Sequence, residues 1–132
     1  MAGINIWAVL VSAIVAFIFG GVWYSKKVFG EAWLREANVS EAQMQSFHKS
    51  RAYIIGFILS VLAAWAMAML LRSNPSFAHA VKFGFVAGLF FVATSFGINY
   101  IFANRSLKLF LIDSGYHLVQ FVIYGVILGL WH

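Results

Sequence analysis

The sequence predicts an all-α integral membrane protein, a bundle of four transmembrane helices with a short interfacial amphipathic helix after the first. Two observations predict this fold class. Of the 132 residues, 63% are hydrophobic and only 10% are charged, whereas about 25% are charged in an ordinary soluble domain. The apolar residues also fall into four runs, each near the length of about 20 residues that crosses a bilayer. These runs use most of the chain, so we expect a single membrane domain over residues 1–132.

Polar or turn-forming residues separate the four predicted spans. The spans cover about residues 4–24, 52–71, 83–103 and 108–131. Residues 25–51 form the long polar connection between the first two spans, and residues 73–75 break the chain before the third. Residues 104–106 make a tight turn between the third and fourth spans. A turn this short makes those two helices antiparallel neighbours.

The connection over residues 25–51 contains helical signals of its own. Phe29 and Trp33 are four residues apart, so they would share one face of a short helix lying on the membrane surface. Ser40 followed by Gln43 fits a capping box, which begins a further helix. We therefore expect this connection to be folded.

Aromatic and basic residues predict how the bundle lies in a membrane. Trp and Tyr favour the membrane–water interface, and the predicted interface belt is Trp23, Tyr24, Trp33 and Trp131. Seven of the nine Lys and Arg residues lie in the connection 25–51 or near the turn 104–106, and only Arg72 and Lys82 lie on the opposite side. Positively charged loops stay in the cytoplasm, so both termini are expected outside. We assign the net charge of +5 to topology and lipid headgroups, not to nucleic acid.

A polar stripe runs along the fourth span. On a helix that advances about 100° per residue, five side chains fall within roughly a 100° arc. They are Asp113, Tyr116, His117, Gln120 and Tyr124. A carboxyl group deep in a bilayer costs about 3 kcal/mol, so Asp113 should face the bundle interior or a wet cavity and have partners there. Asn99 and Tyr100, at a similar depth across the hairpin, are the expected partners.

Two functional hypotheses explain this polar stripe. Asp113 and His117 are four residues apart, which puts the carboxylate and the imidazole within hydrogen-bonding reach. In the leading hypothesis these two residues, with Asn99 and Tyr100, form a buried network that locks helices together in a non-enzymatic membrane component or accessory subunit. The alternative is a small oligomeric proton-coupled channel or transporter that uses Asp113 and His117 as a proton relay.

Glycines predict where two helices approach closely. Gly84 and Gly88 have a GxxxG spacing in the third span, and Gly125 and Gly129 repeat it in the fourth. Such pairs let helix backbones come together within a membrane. We interpret both pairs as packing within the chain, and a homo-oligomer formed through them is the alternative reading.

No catalytic, metal or cofactor site is expected. The chain has no cysteine, and zinc needs at least three protein donors. His48, His79 and His132 are badly placed to join Asp113 and His117, and a haem held by two histidines meets the same objection. No Gly-x-Ser-x-Gly elbow or phosphate-binding glycine loop is present. An enzyme or lipid-binding protein embedded in the membrane is a third, weaker hypothesis.

Two stretches resemble a known family. One combines Trp23-Tyr24-Ser25 with Phe29-Gly30-Glu31-Ala32-Trp33, and the other runs from Asn99-Tyr100-Ile101-Phe102 to Leu109-Phe110-Leu111-Ile112-Asp113-Ser114-Gly115-Tyr116-His117. In order and spacing they are similar to the small bacterial membrane proteins grouped as domain of unknown function 1761. The resemblance covers nearly the whole chain. It implies a four-helix bacterial inner-membrane protein with these segments as its signature, and it supplies no activity. Lys26 departs from the family pattern, in which proline is usual.

Overall fold

The computed structural model describes residues 3–46, 49–72 and 74–132, and all regular structure within them is helical. Four helices in this part of the chain are long and apolar enough to cross a membrane. They are α1 (Ile6–Trp23), α4 (Lys49–Leu71), a continuous helix over Phe77–Phe102, and α7 (Leu107–Leu130). The all-α class with four membrane-spanning helices is therefore confirmed. Ser73, which belongs to the predicted chain break, lies outside the described residues.

Two short helices occupy the long connection, α2 (Gly30–Glu36) and α3 (Glu41–Ser46). The backbone of α2 ends where Asn38 adopts a left-handed conformation with φ 58°. The capping box before α3 is present in both directions. The Ser40 amide donates to Gln43 Oε1 at 2.7 Å, and the Gln43 amide donates to Ser40 Oγ at 3.1 Å. Local hydrogen bonds therefore stabilise the start of α3 within the connection, which agrees with a folded segment.

The third spanning helix has three parts: α5 (Phe77–Val86), a π-helical segment (Ala87–Ala93) and α6 (Thr94–Phe102). It begins at Phe77, six residues before the predicted span, because Ser76 caps it there. Ser76 Oγ accepts a hydrogen bond from the His79 amide at 3.2 Å, which satisfies one free donor of the first turn. The helix that follows the tight turn after Phe102 is also capped, since Ser106 Oγ accepts a hydrogen bond from the Leu109 amide at 3.1 Å.

Helix α7 is the central element of the bundle. It packs against α1 on one side and against α5 and the π-helical segment on the other, and it also contacts α2, α4 and α6. Helix α4 packs mainly against α1. Large apolar side chains such as Ile58 on α4 and Phe91 in the π-helical segment face outward, as expected of surfaces that contact lipid.

The two GxxxG pairs lie in the interface between the third spanning helix and α7. These glycines are Gly84, Gly88, Gly125 and Gly129. A Cβ atom on Gly84 would overlap the backbone of Phe121, and one on Gly125 would overlap the backbone of Ala80. Both pairs are thus used for close packing within the chain, as we interpreted them from the sequence.

We expect Gly125→Ala to destabilise the protein, because the added methyl group meets the backbone of Ala80 rather than a movable side chain. Overpacking of this kind typically costs about 1–3 kcal/mol. Gly21→Ala is the matched control, because no atom beyond the adjoining backbone of α1 lies within 4 Å of a Cβ built at Gly21. Thermal unfolding of the two variants in detergent checks this prediction. Equal melting temperatures would contradict the packing described here.

Candidate functional site

Asp113 is the centre of a polar site at one end of the bundle, and only 8% of its surface is exposed. Its Oδ1 accepts hydrogen bonds from the Tyr24 hydroxyl at 2.7 Å and from Trp33 Nε1 at 3.0 Å. Its Oδ2 accepts a hydrogen bond from the Tyr100 hydroxyl. The three donors are uncharged, and they come from the end of α1, from α2 and from α6. They complement a carboxylate, which only accepts hydrogen bonds.

Tyr24 and Trp33 approach the acid from the same side because the chain turns back sharply between them. Within this turn the Gly30 amide donates to the Ser25 carbonyl at 2.8 Å. A Cβ atom on Gly30 would lie 2.8 Å from that carbonyl oxygen, which is too close for any other residue. Glycine at this position therefore lets α2 start directly after the turn and bring its indole to Asp113.

Three of the four predicted belt residues contact α7 through hydrogen bonds. Tyr24 and Trp33 donate to Asp113, and Trp23 Nε1 donates to the Ile112 carbonyl at 2.9 Å. Trp131, at the other end of α7, is 45% exposed. This inward role was not predicted from the sequence, although the connection 25–51 and the turn 104–106 before Asp113 were both expected on the same side of the membrane. That shared placement, together with the need of a buried acid for donors, was the available signal.

A pocket of about 280 Å³ opens beside Asp113. It is lined by Trp33, Ala37, Asn99, Tyr100, Ala103, Arg105, Leu109 and Asp113. Arg105 is exposed, and its guanidinium donates to the Ala37 carbonyl at 3.3 Å. An acid and a base therefore share one pocket without bonding to each other.

Asn99 lines the pocket but is not a hydrogen-bond partner of Asp113, which corrects the pairing expected from the sequence. Asn99 is exposed, and the partner from the same helix is its neighbour Tyr100. The expectation rested on depth along the helix axis. Two adjacent residues have nearly the same depth but point about 100° apart, and here the phenol points at the acid.

His117 is not hydrogen-bonded to Asp113 either, contrary to the expected pair. Its Nδ1 lies 2.5 Å from Gln120 Oε1, and its ring stacks on Phe96 with 4.9 Å between ring centroids. Gln120 Nε2 in turn donates to the Tyr124 hydroxyl at 2.6 Å. The imidazole instead pairs with an acceptor about one turn further along the same helix.

The His117 network continues to α4 and ends there. The Tyr124 hydroxyl lies 2.6 Å from Ser60 Oγ and donates to the Ser60 carbonyl at 3.2 Å. Because an amide oxygen only accepts, His117 Nδ1 is the donor to Gln120. The chain of donors then runs from His117 to a backbone carbonyl, which ties α7 to α4. Ser60 was not assigned to any site from the sequence, and its hydroxyl in the apolar middle of α4 was the available signal.

The polar stripe therefore forms separate groups rather than one path. Tyr116 lies between the two networks, but its hydroxyl donates to the Ala16 carbonyl of α1 at 3.2 Å. Ser114 Oγ is buried and has no hydrogen-bond partner. Across the described residues, no three His, Cys, Asp or Glu side chains come together as metal donors. His48 lies outside the described residues.

A family model described as "Protein of unknown function (DUF1761)" matches residues 7–129. The chain belongs to this family. The match covers nearly the whole chain, including Asp113 and its three donors. No curated protein and no solved structure gives a significant match. Lys26 lies in the turn before α2, and that turn is closed by backbone hydrogen bonds at Ser25 and Val28. The family supplies no activity, so the site is interpreted from its geometry.

We expect Tyr124→Phe to lower the free energy of unfolding by about 1–3 kcal/mol, because it leaves buried donors of Gln120 and Ser60 without a partner. Tyr53→Phe is the control, since Tyr53 is 59% exposed. Chemical unfolding in mixed micelles provides the measurement. A loss no larger than that of the control would show that the contact between α4 and α7 does not depend on this hydroxyl.

Proposed function

We propose that this protein is a non-enzymatic component of the bacterial inner membrane, an accessory subunit in which Asp113 fastens the cytoplasmic connection to the bundle. The observation that carries this proposal is the donor set of Asp113. One carboxylate accepts hydrogen bonds from the end of α1, from α2 and from α6. In this arrangement both termini lie outside, and the connection over residues 25–51 is presented to the cytoplasm.

The energetics favour a positioning role for the acid. Helix α2 has only seven residues, and an isolated helix this short is not stable in water. A hydrogen bond to a charged group contributes about 1.5–3 kcal/mol. The bond from Trp33 to Asp113 therefore offsets part of the cost of ordering the short helix, and it fixes the helix against α7.

The lipid bilayer is the main partner in this proposal, and a homo-oligomer would need a surface other than the glycine pairs. Those glycines are already occupied by contacts between α7 and the third spanning helix, in α5 and the π-helical segment. The presented connection, including the exposed side chains Glu31 and Arg35 of α2, is the surface that a protein partner would contact. Neither a nucleic acid nor a cofactor is part of the proposal.

A proton-coupled channel or transporter is the second candidate. The pocket beside Asp113 favours it, because the acid is reached from the polar side of the bundle. The separation of Asp113 from His117 opposes it. The donor chain that begins at His117 ends at the Ser60 carbonyl, and a backbone carbonyl does not pass a proton onward.

We expect Asp113→Ala to raise amide hydrogen exchange over Gly30–Glu36 by about tenfold or more, since α2 loses the acceptor of Trp33. Glu31→Ala is the control, because Glu31 is an exposed residue of the same helix. Hydrogen–deuterium exchange in nanodiscs, read by mass spectrometry, gives the answer. Unchanged protection of α2 in Asp113→Ala would refute the positioning role.

We also expect liposomes containing the protein to show no proton flux above that of empty liposomes, because the two polar networks are not joined. A pH-sensitive dye trapped inside the vesicles measures the flux under an imposed potential. Flux that is present in the native protein and absent in Asp113→Asn would overturn this expectation and establish the transporter instead.

A further inference from the structure

The pocket beside Asp113 contains two opposite charges at different depths. Asp113 lies six residues into α7 from Leu107, about 9 Å along the helix axis, whereas Arg105 lies in the preceding turn. The acid is bonded to neutral donors, and the guanidinium is bonded to the Ala37 carbonyl. Each charge therefore faces the pocket without being neutralised by the other. A ligand with a cation and an anion a short distance apart would match both.

The inner end of the pocket has the features of an ammonium site. Trp33 and Tyr100 line it together with the Asp113 carboxylate. Aromatic side chains attract an ammonium ion through their π-electron faces, and a carboxylate adds a direct electrostatic attraction. Asp113 accepts one hydrogen bond on Oδ2, so that oxygen retains an acceptor position for an N–H group.

The outer end suits a phosphate group. Arg105 is exposed at the turn, and its guanidinium carries five donors, of which the structure uses one for Ala37. A planar guanidinium binds phosphate oxygens in pairs, which makes arginine the usual residue for this anion. The pocket volume of about 280 Å³ leaves room for a small zwitterion.

We propose that this pocket binds an ammonium group joined to a phosphate by a short linker, with the ammonium at Asp113, Trp33 and Tyr100 and the phosphate at Arg105. Two sources carry this chemistry, the headgroup of phosphatidylethanolamine and soluble phosphoethanolamine. Next to the pocket, Ile101 and Phe102 are 77% and 86% exposed. These apolar side chains provide a surface on which acyl chains of a lipid would lie.

Calorimetric titration of the full chain in maltoside micelles tests the proposal with three probes: dihexanoyl phosphatidylethanolamine, dihexanoyl phosphatidylglycerol and O-phosphoethanolamine. The glycerol lipid keeps the phosphate and lacks the ammonium. We expect the ethanolamine lipid to bind at least roughly tenfold more tightly than the glycerol lipid, which corresponds to the loss of one favourable charge contact. Tighter binding of the lipid than of O-phosphoethanolamine assigns the lipid source, and equal binding assigns the soluble one.

Variants separate the two ends of the ligand. Asp113→Asn should weaken binding of the ethanolamine lipid by about tenfold or more and remove its preference over the glycerol lipid. Arg105→Gln should weaken binding of both lipids by about fivefold or more. Lys108→Gln is the control, because Lys108 is exposed at the same end of the bundle and does not line the pocket. Its affinity should stay within about twofold of the native value.

Three results would overturn the proposal: no binding of any probe, equal binding of the two lipids, or equal losses in Arg105→Gln and Lys108→Gln. Arg105 is exposed, so its variant tests the site even if Asp113→Asn fails to fold, and melting curves identify that case. The positioning role of Asp113 is measured separately by exchange in α2, so either idea can fail while the other stands.

Discussion

The need of one buried carboxylate for hydrogen-bond donors organises one end of this molecule. Asp113 is the one acid of a mainly apolar helix, and a buried acid has to obtain from protein groups the hydrogen bonds that water would supply. Three aromatic side chains provide them. Tyr and Trp suit the task because each buries a large apolar ring while presenting one polar atom. The same groups that satisfy the acid also cover the apolar surface around it.

The second polar network has a different consequence for the bundle. It links His117, Gln120, Tyr124 and Ser60, and every one of its hydrogen bonds lies between α7 and itself or between α7 and α4. Helix α4 has few other contacts with α7, since it packs mainly on α1. The hydroxyl of Tyr124, fully buried, thus fixes the depth of α4 against the central helix, where apolar contacts alone would allow sliding.

The sequence predicts the parts of the fold that depend on residue spacing along the chain. Apolar run length located the four spans, glycine spacing located the close contact of α5 with α7, and Ser40 with Gln43 located the start of α3. The partners of Asp113 were harder to predict. Its depth could be calculated from helix rise, but the direction in which neighbouring side chains point could not. Asn99 and Tyr100 were therefore both expected as partners, and only Tyr100 makes the bond.

The partners of Asp113 that lie before and within the connection were not predicted either. Trp and Tyr at the end of a span are typical membrane anchors, which explains Trp23, Tyr24 and Trp33 without any contact to α7. The turn at Gly30 is what brings Trp33 to Asp113. The turn depends on a backbone approach that only glycine permits. Spacing alone does not reveal it, because the residues it brings together are about 80 positions from Asp113 in the chain.

The π-helical segment Ala87–Ala93 sets the rotational phase of everything that follows it in the third spanning helix. A π turn closes its hydrogen bond one residue later than an α turn, so it takes up an additional residue without a matching gain in length. Winding the segment as an α-helix without removing that residue would rotate α6 by about 100° and turn the phenol of Tyr100 away from the acid. A relative with a purely α-helical third span therefore aligns with this one beyond Ala93 only if one residue is skipped.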